Sequence, residues 1–456
     1  MQSEFDLVVI GAGMAGLNAM DRAVAAGRRV AIIERDRVGG TCPIRGCIPS
    51  KALIRSAEVA HEARRAADFG IRVGEVEVDF AAVMGRVRAI VDKGATATRA
   101  WVESLEAVEL IDGEASFASP TEVRVGARVI RAPRIIIATG AAPVRPPIPG
   151  LDRTPYLTSD DVLTLTELPQ RVVIIGAGPI GLELGQALGR LGAQVTMLEG
   201  QPGLLAGEDH ELVDALRGYL AGEGLAIHTG IGIDRTEALQ SGGVRVVVTE
   251  NGVARGIDAD ALIVATGRAP IVTPLDLPAA GLADAARGIP VDGHLQTAQS
   301  GIYAAGDVLG DPWGQFTHVA RRLGLEAAEL ALGLGAYEVE PDIGPHAVFT
   351  DPELASIGLT EHAAREAGFD VRVGASRFSG GKARAWGEER GLVKVVVETG
   401  TSRILGAHIL GYHAADLIHP VVVAIASGGG TDAIRRSPHI HPTLGEFVKS
   451  AVASAT

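Results

Sequence analysis

Two stretches of this chain can be laid over one another: DLVVIGAGMAGLNAMDRAVAAGRRVAIIE, residues 6–34, and RVVIIGAGPIGLELGQALGRLGAQVTMLE, residues 171–199. The offset is 165 residues throughout, so Gly11, Gly13, Gly16, Gly27 and Glu34 fall on Gly176, Gly178, Gly181, Gly192 and Glu199. Each copy is an apolar run, a glycine turn, a helical pattern and a second apolar run ending in an acid. That order predicts a strand–helix–strand unit carrying the dinucleotide-binding fingerprint. The first glycine permits the tight turn, the second lets the backbone approach a pyrophosphate, and the third lets the helix pack closely on the strand. The helix N-terminus offers free N–H groups to the phosphates. The acid, 23 residues after the first glycine, can accept hydrogen bonds from a ribose diol. A single GxGxxG is often just a glycine turn. Two copies in the same context point to two nucleotide sites.

Outward from the repeat, each unit is closed by a matching segment, IIIATG at 135–140 and LIVATG at 262–267. The first unit then resumes at GIYAAGDV, residues 301–308, so the second is inserted into the first. From about Pro341 the texture changes: 347–359 and 391–397 read as strands, and helical patterns follow. The expected fold is α/β, with two Rossmann-like domains, the second inserted in the first, followed by an α+β domain. The expected boundaries are 1–145 with 271–335, then 146–270, then 336–456.

A chain of 456 residues is too long for one ordinary core. Its composition, 47% hydrophobic and 21% charged, is that of a globular protein. The net charge, 42 − 55 = −13, argues against nonspecific nucleic-acid binding, which needs a basic surface. No apolar run reaches the ~18 residues of a membrane span. The chain passes from Met1 straight into the apolar run 5–10, with no pattern of a signal peptide. Two cysteines fit a reducing compartment better than a stapled secreted scaffold. A cytoplasmic protein is expected.

Both cysteines lie in GGTCPIRGCIPSK, residues 39–51, at C-x4-C spacing. In an ideal helix, residues five apart have Cα atoms about 8.6 Å apart, whereas a disulfide needs less than about 7 Å. If Cys42 and Cys47 pair, the helix must be distorted or must start between them, and Pro43 and Gly46 suit that. A strained, accessible disulfide is easier to reduce. The other readings are a structural bond, two separate thiols, or a metal site. A zinc site needs four ligands, so no metal is expected. Near the other end lies HIHPTLGE, residues 439–446. Thiol chemistry needs a general base, and histidine has a suitable pKa. A carboxylate on the other ring nitrogen fixes the tautomer. His441 with Glu446 is the candidate pair, and His439 is the local competitor.

These motifs resemble, from Phe5 to about Val448, the FAD- and pyridine-nucleotide-dependent disulfide reductases, most closely the dihydrolipoamide dehydrogenase branch. The resemblance implies that Gly11, Gly13, Gly16 and Glu34 hold the FAD pyrophosphate and adenosine ribose. Thr41, Lys51, Ala115, Thr139, Gly140 and Asp307 match further FAD-contacting positions. Glu183 matches the acid that pairs with that lysine beside the nicotinamide, and Gly176, Gly178, Gly181, Glu199 and Gly267 match the nicotinamide-nucleotide site. Cys42 would exchange with substrate sulfur and Cys47 would face the flavin as thiolate. His441, oriented by Glu446, would move protons and, in the family, acts from the partner subunit. The third domain would be a dimerisation domain and the protein a homodimer.

At Glu199 a carboxylate welcomes the ribose diol and repels a 2′-phosphate. No arginine occurs between Glu199 and Asp209, so NAD is expected over NADP. Mercuric reductase and large thioredoxin reductase need further C-terminal cysteine or selenocysteine pairs, and none follows Cys47. Against this, the family's usual Leu-Asn-Val between the cysteines is here Pro43-Ile44-Arg45. The usual Ala before the histidine is Ile440, and the usual Ser before the Glu is Gly445. Pro420 falls inside a normally unbroken helical pattern and predicts a kink. Arg45 could lower a thiolate pKa, contact an anionic substrate, or be a solvated surface residue. The expected reaction is dihydrolipoamide with NAD⁺ giving lipoamide and NADH, on a free or protein-bound lipoyl group. The alternatives are a reductase of another small disulfide or electron acceptor, and a low-turnover flavoprotein redox sensor.

Overall fold

The computed structural model describes residues 4–250, 252–342 and 344–455. The chain forms two compact units. The first comprises Met1–Pro146, Leu157–Glu167 and Thr266–Ile343, and the second comprises Pro147–Tyr156, Leu168–Ala265 and Gly344–Thr456.

The first unit is built on strand β1, Leu7–Ile10, whose four residues are all buried. It lies at the centre of a parallel sheet, between Ile135–Ile137 and strand β2, Val30–Glu34, with Ile302–Ala304 and Val108–Asp112 at the edges. Helices cover such sheets on both faces, which is why the strand sequences are continuous apolar runs rather than alternating ones. Helix α1, Met14–Ala25, makes the crossover from β1 to β2. Gly11 takes φ 105°, open to glycine. A Cβ on Gly16 would stand 1.8 Å from the Gly11 carbonyl oxygen, so the helix rests directly on the turn.

The second unit repeats this construction. Arg171–Ile175 lies between Gln194–Glu199 and Ala261–Val264, with Ala226–Thr229 beyond. Gly176 has φ 103°, and a Cβ on Gly181 would meet the Gly176 oxygen at 2.1 Å. The backbone ladders correspond as well. Gly11 N–H donates to Ile33 O and Gly176 N–H to Leu198 O, both at 2.8 Å. The closing strands arrive alike, through Ala138 N–H to Ile10 O and Ala265 N–H to Ile175 O, again both at 2.8 Å.

The C-terminal part of the second unit is an antiparallel sheet in the order His346–Val348, Glu353–Gly358, Ile404–Gly411, Leu392–Glu398, Val371–Arg377. The stretch 347–359, which reads as one strand in sequence, is two, separated by a turn in which Thr350 Oγ1 donates to Pro352 O. That turn is read by one face of the helix Pro179–Leu191. Phe349 N–H donates to Glu183 and Asp351 N–H to Gln186, at 2.9 and 2.8 Å. Arg190 Nη2 then donates to Asp351 at 2.7 Å. Glu183, Gln186 and Arg190 follow a helical spacing on one face, so three buried polar side chains are satisfied together. Pro420 does not kink a continuous helix. One helix ends at Leu417 and another, His419–Ala426, begins with Pro420 in its first turn, where the missing N–H removes no helical bond.

In the first unit, α1 also meets the helix Thr317–Ala331 backbone to backbone. A Cβ on Gly324 would lie 2.1 Å from Ala15 O and 2.8 Å from Ala15 Cα. Overpacking of this kind typically costs about 1–3 kcal/mol, occasionally more. Gly324→Val should therefore lower the thermal midpoint of the first unit and its flavin content, read by circular dichroism and absorbance. An unchanged midpoint would contradict the close helix contact.

Candidate active site

A cleft opens over the C-terminal ends of β1 and β2, lined among others by Gly11, Glu34, Ala115, Thr139, Ile271 and Leu275. Its acid is held by the backbone: Glu34 accepts Ala12 N–H on one oxygen and Asp36 N–H on the other, both at 2.9 Å. Thr139 donates to Ile271 O at 2.7 Å, and the buried Ala115 opens the strand Ala115–Ser119 at the cleft wall. At the mouth of the fingerprint turn, a Cβ on Gly40 would stand 2.6 Å from Gly13 Cα. The Gly39-Gly40 turn is therefore docked on the fingerprint turn, with Gly39 N–H donating to Ala12 O at 2.8 Å.

The two closing segments meet in the first unit. Ala141–Pro143 pairs antiparallel with Arg268–Pro270, placing Gly140 (φ 71°) and Gly267 (φ 111°) at its edges. From there the Arg268 guanidinium reaches Ala141 O at 2.7 Å, and Thr41 Oγ1 and Asp160 Oδ1 at 3.4 Å. Its buried Nε has no hydrogen-bond partner among the described residues. Burial pushes the Asp307 carboxyl up, opposed by the Arg268 charge. Bare glycine backbone, an acid on the cleft wall and a buried cation with a spare donor suit a ligand with ribose and pyrophosphate groups. This chain's residues thus fit an FAD.

The cysteines straddle a broken helix. Helix α2, Thr41–Arg45, stops at Gly46 (φ −132°, ψ −109°), and helix α3, Cys47–Arg64, starts at once. The break falls between the cysteines, which is one of the two geometries that would let residues at C-x4-C spacing pair. A Cβ on Gly46 would come to 3.0 Å from Thr41 O, so this residue too sits against backbone. Both cysteines are thiols, neither fully buried, and they are unequal. The hydrogen bond from Cys42, with help from the Thr317 hydroxyl and the Lys51 charge, pulls Cys47 down to about 6 despite its burial. The same bond, and then burial, push the Cys42 thiol far up. Arg45 is ion-paired with Asp36, and the charge that lowers Cys47 is that of Lys51.

In the second unit Glu199 repeats the Glu34 arrangement, accepting Ala177 N–H and Gln201 N–H at 2.8 Å each. A Cβ on Gly178 would meet nothing within 4 Å, so this position of the fingerprint turn is open. His441 Nδ1 lies 3.0 and 3.2 Å from the two Glu446 oxygens. Glu446 also accepts Thr443 N–H at 2.9 Å, and that bond, followed by His441, holds its carboxyl below the usual range. His439 instead turns Nδ1 to Ser437 O at 3.1 Å. His441 is 78% exposed, and Ile440 before it is 79% exposed.

Two residues of this site were not among the sequence candidates. Arg268 directly follows the second closing segment, and that position was a usable signal. Thr317, whose Oγ1 lies 3.3 Å from Cys47 Sγ, is 270 residues away in sequence and carries no local signal.

Residues 5–324 match the model of the pyridine nucleotide-disulphide oxidoreductases, and residues 344–452 match that family's dimerisation domain. The chain belongs to this family of FAD-dependent enzymes, which act on sulfur groups with a pyridine nucleotide. It is 35% identical to a dihydrolipoyl dehydrogenase of Chlorobaculum tepidum, over 100% of this chain and 98% of that one. It is 37% identical to a mercuric reductase of Bacillus cereus, over 98% of this chain and 71% of that one. In structure it is similar to the HOCl-induced flavoprotein disulfide reductase RclA from Escherichia coli, with TM-score 0.89 and 30% identity over 99% and 100% of the two chains. Among the described residues no helix is long and apolar enough to cross a membrane.

The inequality of the thiols is directly measurable. Cys47 lies below the ordinary thiol value of 9.0, so it is a thiolate above about 6 and protonated as the pH falls below that. Thiolate absorbance of the reduced protein should show one ionisation near 6 and a second well above the ordinary 9.0. Two ionisations close to 9.0 would contradict the coupling between the two sulfurs.

Proposed function

We propose that the protein is a homodimeric, NAD-linked dithiol–disulfide oxidoreductase of the dihydrolipoamide type. The observation that carries this reading is the Cys42–Cys47 pair astride the helix break, with one acidic thiol and one held neutral. Cys42 exchanges with substrate sulfur. Cys47 stays a thiolate on the flavin side, near Lys51. Gly11, Gly13, Gly16, Glu34, Thr41, Ala115, Thr139, Gly140 and Asp307 hold FAD. Gly176, Gly178, Gly181, Glu183, Glu199 and Gly267 hold the nicotinamide nucleotide. The domain division is 1–145 with 271–335, 146–270, and 336–456, the last pairing two copies. His441, its ring fixed by Glu446, serves the cysteines of a second copy, which its exposure permits. In the net reaction a dithiol forms one S–S bond, giving up two electrons and two protons; NAD⁺ accepts a hydride and one proton is released. Bound FAD supplies the relay for that electron pair.

The lipoamide reading is supported by a likeness to a dihydrolipoyl dehydrogenase that covers 100% of this chain and 98% of that one. NAD is favoured by Glu199, whose carboxylate would repel a 2′-phosphate. A second reading, reduction of another small disulfide or electron acceptor, is favoured by Pro43-Ile44-Arg45 and by the exposed Ile440.

Steady-state turnover separates them. Purified holoenzyme should reduce NAD⁺ with dihydrolipoamide. If a panel including glutathione disulfide and quinones turns over and lipoamide does not in either direction, the second reading replaces the first. Cys42→Ser should abolish disulfide turnover while Cys47 still perturbs the flavin spectrum. His441→Gln should slow the dithiol half-reaction by about 10²–10⁴-fold and leave flavin reduction by NADH little changed. Equal losses in both half-reactions would remove His441 from its assigned role. Glu199→Ala should narrow the preference for NADH over NADPH by about tenfold, the equivalent of ~1.4 kcal/mol of lost repulsion. An unaltered preference would show that Glu199 does not read the ribose.

A further inference from the structure

We propose that the Thr317 hydroxyl holds the Cys47 sulfur as a thiolate and thereby sets the pH above which the reduced site can work. The inference rests on the reading that Cys47 is the flavin-side thiolate. Thr317 Oγ1 and Cys47 Sγ are 3.3 Å apart, within hydrogen-bond reach for sulfur. A thiolate can only accept, so the hydroxyl must then donate. When Cys47 is protonated the same contact is a weak bond between neutral groups. A charge-assisted bond is roughly twice as strong as a neutral one, so the contact favours the ionised state.

The position explains why this hydroxyl is available. A threonine inside a helix commonly gives its proton to the carbonyl one turn back. Thr317 is the first residue of the helix Thr317–Ala331, and the residue before it, Phe316, makes no side-chain cap. No helical carbonyl precedes it, so the proton is released toward the sulfur. The β-branched side chain has restricted χ1 freedom, and the helix is locked against α1 by the Gly324–Ala15 contact. The helix end adds partial positive charge on the same side. Cys47 is lowered first by the bond from Cys42 on α2, then by the Thr317 hydroxyl and by the Lys51 charge on α3. Thr317 and Lys51 act on Cys42 in the same direction, where the bond to Cys47 and burial outweigh them, and the contact at 3.3 Å is with Cys47. In the proposed dimer, His441 of a second copy would join them near Cys42. Lys51 acts through space, whereas Thr317 acts through a directed bond, so the two contributions can be separated by substitution.

The test uses the FAD-loaded enzyme, reduced anaerobically by two electrons. The long-wavelength absorbance of a thiolate against oxidised flavin is followed against pH for the unsubstituted enzyme, Thr317→Val, Thr317→Ala and Thr317→Ser. Loss of the hydroxyl should raise the midpoint by about one pH unit in both Val and Ala. Thr317→Ser should keep it near the starting value. The dithiol half-reaction of the Val enzyme should be slow below the new midpoint and recover above it, which a merely loosened helix would not do. Unshifted midpoints in Val and Ala enzymes that retain flavin would overturn the proposal. If the unsubstituted enzyme shows no such absorbance, the flavin-side role of Cys47 fails instead. The hydrogen bond is then judged by the pH dependence of Cys47 alkylation by iodoacetamide, mapped by mass spectrometry. An identical alkylation midpoint in the unsubstituted, Val and Ala proteins would overturn it there too.

Discussion

A carbonyl oxygen standing where a Cβ would otherwise be is the constraint on which the rest of this molecule depends. At Gly16 that distance is 1.8 Å from Gly11 O, and at Gly181 it is 2.1 Å from Gly176 O. No other residue type leaves room for the helix to sit on the turn. Once it does, the helix N-terminus points over the strand ends, and the acids Glu34 and Glu199 are drawn onto the turn by backbone N–H groups. The same economy of side chains recurs outward. Gly40 abuts Gly13, Gly46 abuts Thr41, and Gly324 abuts Ala15. Each glycine brings one backbone against another, and the chain of contacts runs from the nucleotide turn to the cysteines and to the helix that carries Thr317.

The redox pair inherits its chemistry from this placement. Two cysteines in one unbroken helix would stand too far apart to bond, and Gly46 removes that obstacle by ending one helix and starting the next. The sulfurs then compete for one proton. Cys42 keeps it and donates it to Cys47, and that bond raises the one sulfur and lowers the other, while the Thr317 hydroxyl and the Lys51 charge add to the lowering of Cys47. Such a division suits a dithiol in which one sulfur attacks and the other leaves its charge behind. Arg45, the most conspicuous charge between the cysteines in sequence, is ion-paired with Asp36, and the thiolate depends on Lys51 and on hydrogen bonds.

Much of the fold was legible because it is written twice. The repeat, its closing ATG segments and the late return of the first unit all correspond to neighbouring parallel strands. A break between the cysteines was one of two geometries that the distance left open if they pair, and the structure pairs Glu446 with His441 rather than His439. What was not legible depends on long-range contact. The strands Val371–Arg377 and Ile404–Gly411 are ordinary edge and core strands without a motif. The turn dividing 347–359 is fixed by Glu183, Gln186 and Arg190 on a helix about 165 residues earlier in the chain. Pro420 reads as a kink until the helix restart at His419 is seen. Thr317 could be found only in space.

The account stands on Cys42 and Cys47 being a redox pair in electronic contact with bound flavin, and an anaerobic reductive titration of the yellow holoenzyme tests this most directly. It predicts uptake of about four electrons per flavin, a two-electron couple for the disulfide and another for FAD, with a thiolate–flavin absorbance appearing at the halfway point. Uptake of only about two electrons per flavin, with direct bleaching and no intermediate, would contradict it.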